Sequence, residues 1–191
     1  MMNHATPTDG SYEPLPEEVL DLCKRVGVPP RLLAHLILVH DVARTLANRV
    51  QAAFPTLKFD KDAVVFGAAT HDLGKATHRE ELSEPGKLHE LRGVELLKEH
   101  GVHENLARFA YTHGNWKGSH PVEIEDLMVA LADNCWKGKR VPDLEGSMTD
   151  VLAEKSGEPQ WKCYVALDDI LQDLGADADA RIEWQRSFPV H

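Results

Sequence analysis

Residues 31–54 read RLLAHLILVHDVARTLANRVQAAF, and this stretch decides the fold class. Leu32, Leu33, Leu36, Ile37, Val39, His40, Ala43, Leu46, Ala47 and Val50 recur at helical spacing, and Pro55 closes the run. Similar periodicity extends to both sides. Short helices fit residues 16–26, ended by Gly27-Val28-Pro29-Pro30, and 61–71, with Asp60 as N-cap. A loop over 75–87 carries the turn pair Pro85-Gly86, and further helices fit 90–100, 104–113 and 122–136. Gly74, Gly101 and Gly114 read as helix stops, and residues 147–155, 160–174 and 177–187 are helical in pattern. Strand-like alternation is absent at useful length. The reading is an all-α, single-domain helical bundle over residues 15–191, preceded by a flexible polar leader at 1–14.

The bulk composition narrows the function classes. At 191 residues, 42% hydrophobic and 27% charged, the chain can close one core and is not low-complexity. Its formal net charge of -10 disfavours stable binding to nucleic acid or anionic membranes. A phosphate-bearing ligand therefore needs a local cationic patch or a metal. Cys23, Cys135 and Cys163 are few and scattered, which fits reduced thiols and a cytoplasmic location. The longest apolar stretch, residues 32–39, is too short to span a bilayer, and the N-terminus lacks the apolar segment of a signal peptide.

The chemistry centres on His71-Asp72-Leu73-Gly74-Lys75. Neighbouring side chains on a regular helix diverge, so His71 and Asp72 converge on one point only where the helix ends. Imidazole with carboxylate is a donor set for Fe, Mn, Co, Ni or Zn, with Mg possible. His40, on the apolar stripe of its helix, is one partner candidate; the alternative is a core histidine bonded to a carbonyl. Asp133 lies on the apolar face of Leu127-Met128-Val129-Ala130-Leu131-Ala132. A carboxylate there needs a positive partner, which either a metal or an arginine would supply.

Taken in order, His40, His71-Asp72 and Asp133 resemble the HD-domain superfamily of metal-dependent phosphohydrolases, over a motif core spanning residues 40–136. The resemblance implies an all-helical fold and a metal site. His89, in the stretch H-x-x-x-G, and His113 stand where dinuclear members place further ligands. Carried over, His40, His71, Asp72, His89, His113 and Asp133 would hold one or two divalent transition metals, with Asp72 bridging. The mononuclear nucleotidases often carry an acidic base three residues after the aspartate. Lys75 stands there instead, which leans toward the dinuclear branch and a metal-activated hydroxide. The Gly-Tyr-Pro signature of the cyclic-dinucleotide phosphodiesterases is missing.

The implied reaction is hydrolysis of a phosphate ester or anhydride of a small molecule, a nucleotide or related compound. Lys75, with Asp72, is the catalytic candidate beyond metal binding. Lys75, Lys87, Arg92, Lys117, Lys137 and Arg140 are candidates for holding the substrate, though basic residues beyond a helix also read as a solvated C-terminal face. Trp116 and Trp136 are candidates for stacking a base, or for the core. His4, His35, His78, His100, His103, His120 and His191 lack a counterpart in the pattern and read as surface or structural. Two other functions fit the same ligands: a di-iron oxygenase of the HD type, and a non-catalytic module that senses a nucleotide.

Overall fold

The computed structural model describes residues 11–118 and 121–190. Among these residues every regular element is helical. In chain order the α-helices are α1 (Glu17–Val26), α2 (Pro30–Ala53), α3 (Lys61–Thr70), α4 (Leu88–Glu99), α5 (Glu104–Ala107), α6 (Phe109–Thr112), α7 (Ile124–Cys135), α8 (Pro142–Ser156), α9 (Gln160–Gly175) and α10 (Ala178–Arg186). Two single turns of tighter helix, Leu73–Ala76 and Arg79–Leu82, occupy much of the segment read from sequence as a loop. The expected helix over 104–113 is interrupted at Arg108, giving α5 and α6. None of the helices is long and apolar enough to cross a membrane.

The 24-residue α2 is the axis of the fold, and it packs against α3, α7, α9 and α10. Its two halves serve different cores. Leu32, Leu36 and Ile37 join α1, α4 and Leu73 in one cluster, while residues from Leu38 to Val50 join α3, α7, α8 and α9 in another. Ala68 faces one cluster and Ala69 the other, so α3 ends at the seam between them. That seam is where His71 and Asp72 emerge.

Local chemistry explains most element ends. The Asp60 side chain accepts the Ala63 N–H at 2.9 Å and caps α3, as its position in the sequence indicates. Gly101, at φ +83°, follows α4 in the left-handed region that favours glycine. Gly74 plays a different part from the expected helix stop. A Cβ there would lie 2.0 Å from the His89 carbonyl oxygen and 2.8 Å from the Gly93 nitrogen, so this glycine lets two backbones touch. Gly74→Ala is expected to cost about 2–3 kcal/mol, because α4 must shift as a body. Gly146→Ala, at a site with nothing within 4 Å, should be neutral or slightly stabilising. Denaturant unfolding of the two variants tests this, and equal stabilities would contradict it.

Of the polar leader, residues 1–10 lie outside the described residues. Its end docks on the bundle: the Glu13 N–H donates to Asp41 at 3.2 Å, Glu13 pairs with Arg44, and the Tyr12 ring packs on Trp184.

Candidate metal centre

His71 keeps helical backbone angles after α3, but Asp72 departs to φ -103° and ψ 9°. This change turns the Asp72 side chain back toward its neighbour, and His71 Nε2 stands 3.6 Å from Asp72 Oδ2. Helical backbone geometry therefore stops after His71, ahead of Gly74.

Four other elements bring donors to the same point: His35 from α2, His89 from the first turn of α4, His113 from the end of α6, and Asp133 from α7. The donors divide into two groups around one carboxylate. On its Oδ2 side, His35 Nε2 lies 3.2 Å from Asp72, 3.2 Å from His71 Nε2 and 3.5 Å from Asp133 Oδ1. His71 Nε2 completes this group at 3.4 Å from Asp133. On the Oδ1 side, His89 Nε2 lies at 3.2 Å and His113 Nε2 at 3.6 Å. His71, His113 and Asp133 also approach within 4.8 Å, which joins the two groups into one cluster.

This donor set fits metal ions. Neighbouring donors of the first group lie 3.2–3.6 Å apart, a spacing that ligands of one ion have at Zn–N or Zn–O bond lengths of about 2.0–2.1 Å. Asp72 Oδ1 and His89 Nε2 are buried and make no hydrogen bond among the described residues. Orphaned buried polar atoms are costly, and a cation between them would satisfy both.

The backs of the rings are held as ligands require. His71 Nδ1–H donates to the Ala68 carbonyl at 2.8 Å, and His113 Nδ1–H to the Phe109 carbonyl at 3.1 Å. A carbonyl can only accept, so in each ring the other nitrogen, Nε2, offers its lone pair to the cluster. His89 Nδ1 is held at 2.5 Å by Glu81, a buried carboxylate in the Arg79–Leu82 turn. Glu81 also accepts the Leu88 and His89 N–H groups at 2.9 and 3.1 Å, so one side chain caps α4 and orients its histidine.

The charges reinforce the arrangement. Burial works to raise the Asp72 carboxyl, but Lys75 and His71 outweigh it and hold it well below the usual carboxylate range. Lys75 Nζ lies 2.6 Å from Asp72 Oδ2. Burial also opposes the ionised Asp133, whose pKa the bonded His71 nevertheless lowers. Among the imidazoles, burial lowers His35, and burial with the nearby His71 pushes His113 down to about 4. His71 and His89 move the other way: despite burial, the Asp72 and Asp133 charges raise His71, and Asp72 with Glu81 raises His89.

His71 and His89 therefore keep a proton to higher pH than His35 or His113, and as pH falls they are the first rings from which a metal must displace one. Because the two former rings titrate above their ordinary value, metal affinity is expected to fall once pH drops through that raised range. The loss should be about tenfold per pH unit for each proton displaced. Competition titration with a chelating dye across pH gives the slope, and a flat profile would contradict this assignment of protons.

The structure brings together five of the six histidine and aspartate positions singled out from sequence: His71, Asp72, His89, His113 and Asp133. His40 is not among them, and His35, read as structural, stands in the cluster instead. Five residues along a helix rotate a side chain by about 140° at 3.6 residues per turn, so His35 and His40 cannot face one point. His40 is buried beside Glu13 and Asp41, with its Nδ1 lacking a hydrogen-bond partner among the described residues.

Two clefts open beside the cluster, and Lys75 and Asp133 line both. The first, about 340 Å³, is walled by Arg31, Leu82, Trp136, Lys137 and Arg186; the second, about 320 Å³, by Glu90, Gly114, Trp116, Asn134 and Lys139. Of the cations read from sequence as substrate-binding, Lys75 and Lys137 thus reach a cleft. Lys87, Arg92, Lys117 and Arg140 line neither. Arg92 pairs with Glu95 and Glu99, Lys117 with Asp143, and Arg140 with Glu145 and Asp168, while Lys87 is exposed at the start of α4. Carboxylates close in sequence or across the bundle had already claimed those charges. Trp136 packs edge-on to His35, with ring centroids 5.1 Å apart, and is largely core. His78 contacts Glu80 rather than the cluster, and His120 lies outside the described residues.

The family model for the HD domain matches residues 32–136, more than half of the chain, and this span contains His35, His71, Asp72, His89, His113 and Asp133. The chain belongs to the HD-domain family. HD domains bind divalent metals and are commonly metal-dependent hydrolases, and the histidine–aspartate groups of this HD-domain protein could hold such ions. No solved structure matches the chain. Glu81 carried no motif in the sequence. Its only advance signal is an acidic turn ahead of a candidate ligand histidine.

Proposed function

We propose that this HD-domain protein is a metal-dependent phosphohydrolase that cleaves a phosphate ester or anhydride of a small molecule, a nucleotide or related compound. The observation that carries the reading is the division of Asp72: its two oxygens face separate imidazole pairs, His35 with His71 and His89 with His113. In this reading His35, His71, Asp72 and Asp133 hold one divalent ion, and Asp72, His89 and His113 hold a second. Bound ions would supply Lewis acidity, offsetting charge on a phosphoryl group and easing ionisation of water near neutral pH.

The chain's own residues do the rest. Asp72, held ionised by Lys75 and His71, would offer one oxygen to each group of imidazoles and any ion held there. The Nδ1 hydrogen bonds to Ala68, Phe109 and Glu81 fix His71, His113 and His89 as neutral Nε2 donors once loaded. Lys75 is tethered to Asp72 yet lines both clefts, where its ammonium can meet a phosphoryl oxygen as charge develops. Trp136, Leu32 and Leu82 give the first cleft an apolar wall for the carbon body of a ligand.

The test is metal content after anaerobic purification, followed by phosphate release from nucleotides and sugar phosphates with Mn, Fe, Co, Ni, Zn or Mg. Phosphate release without O₂ that disappears in Asp72→Ala supports the reading. Oxygen-dependent turnover without phosphate release, or a protein that takes up no metal, overturns it.

A further inference from the structure

We propose that Arg31, Lys137 and Arg186 form a second anion subsite at the mouth of the first cleft. On the phosphohydrolase reading, on which this inference rests, the substrate then carries a second phosphate, or an equivalent dianion, away from the one held at the metal cluster. All three cations lie outside residues 32–136, Arg31 and Lys137 by a single residue.

Their shared place at one cleft sets these side chains apart. Arg44, Arg49, Arg92, Arg108 and Arg140 are each paired with a carboxylate. Among the described residues, Arg31, Lys137 and Arg186 have no such partner, as is also true of Arg25, Arg79 and Arg181, but these three line one cleft together. Arg31 is instead pinned by main-chain oxygens: its Nε–H donates to Phe188 at 2.8 Å and its Nη2–H to Arg186 at 3.2 Å. The Arg31 N–H adds a bond to the Pro189 carbonyl at 3.1 Å. These bonds hold the end of α10 over the start of α2, which places Arg186 beside the cleft, and they leave the Arg31 charge unneutralised.

The acids in the same cleft do not cancel this charge. Asp72 and Asp133 are committed to the imidazoles, and Glu81 to His89 and the start of α4. The floor is therefore a metal-binding cluster and the rim is cationic. The second cleft has no such rim: beside Lys75 it carries Lys139 alone among lysines and arginines, and Glu90 is buried in its wall and bonded to Asn115. A volume of about 340 Å³ suits a small ligand with phosphates at two points rather than a lone inorganic anion.

The test uses ligands that cannot be hydrolysed, so binding is read without turnover. Methylphosphonate and alkylbisphosphonates of increasing linker length are titrated calorimetrically into the full-length, Mn-loaded protein. At the linker length that spans cluster and rim, the bisphosphonate should bind at least about tenfold tighter than methylphosphonate, and the advantage should shrink as salt rises. Lys137→Gln with Arg186→Gln should erase it; Lys137→Arg with Arg186→Lys should preserve most of it. Both side chains are exposed, so unchanged melting is expected and checks the fold. An advantage absent at every linker length, or intact in the glutamine variant, overturns the subsite. Phosphate release from p-nitrophenyl phosphate is assayed in parallel: release with no bisphosphonate advantage sinks the subsite alone, and the converse sinks the hydrolase reading alone.

Discussion

Asp72→Ala is expected to abolish metal binding at both groups and to lower phosphate release by about 10³-fold or more. Its two oxygens divide between the groups: Oδ2 faces His35 and His71 while Oδ1 faces His89 and His113. Truncation also removes the charge that raises His71 and His89, so those rings become neutral more readily yet have no carboxylate to share an ion with. The helical fold should survive. Lys75 loses its partner but is partly exposed and can turn to solvent. Asp72→Asn separates charge from shape, since it keeps the volume and should lose most of the metal all the same. Elemental analysis with circular dichroism reads both effects. Full metal content and activity in either variant would remove Asp72 from the site.

The second large effect distinguishes two histidines on one helix. His35→Ala should empty the first group, which keeps only His71, Asp72 and Asp133, and reduce turnover by about 10²-fold or more. Its metal-free form should melt somewhat below the parent, since the buried ring meets His71 Nε2 and Asp72 Oδ2 at 3.2 Å each and packs on Trp136. His40→Ala should differ in its metal. It removes a buried ring that touches no donor of the cluster, so it should cost about 1–3 kcal/mol of stability while metal content stays at the parent value. Metal analysis and thermal melting of the two variants decide the matter. If His40→Ala lost the metal and His35→Ala kept it, the donor set would be wrong.

These two residues also show where sequence reading stops. The all-α class followed from the 3.6-residue period of residues 31–54 and from the turn signals between the other helices. His71-Asp72 and Asp133 were legible too, as polar residues on apolar segments that need a partner to be buried. The cationic rim was only partly visible. Lys137 stood out as a basic residue beyond a helix, but so did Arg140, whose charge Glu145 and Asp168 consume. Arg31 and Arg186 are some 155 residues apart and meet only because α10 folds back onto α2.

Sequence alone thus determined that a helical chain would carry a histidine–aspartate cluster, built on His71 and Asp72, that could hold a metal, since local periodicity and the cost of burying charge both act through near neighbours. Tertiary structure decided which α2 histidine joins it. Nearly every α2 residue from Leu32 to Ala43 is buried, so the apolar pattern marks no single inward face, and His35 and His40 look equivalent along the chain. Only the arrival of the α3 end at the seam between two cores, about 140° around the helix from His40, selects His35.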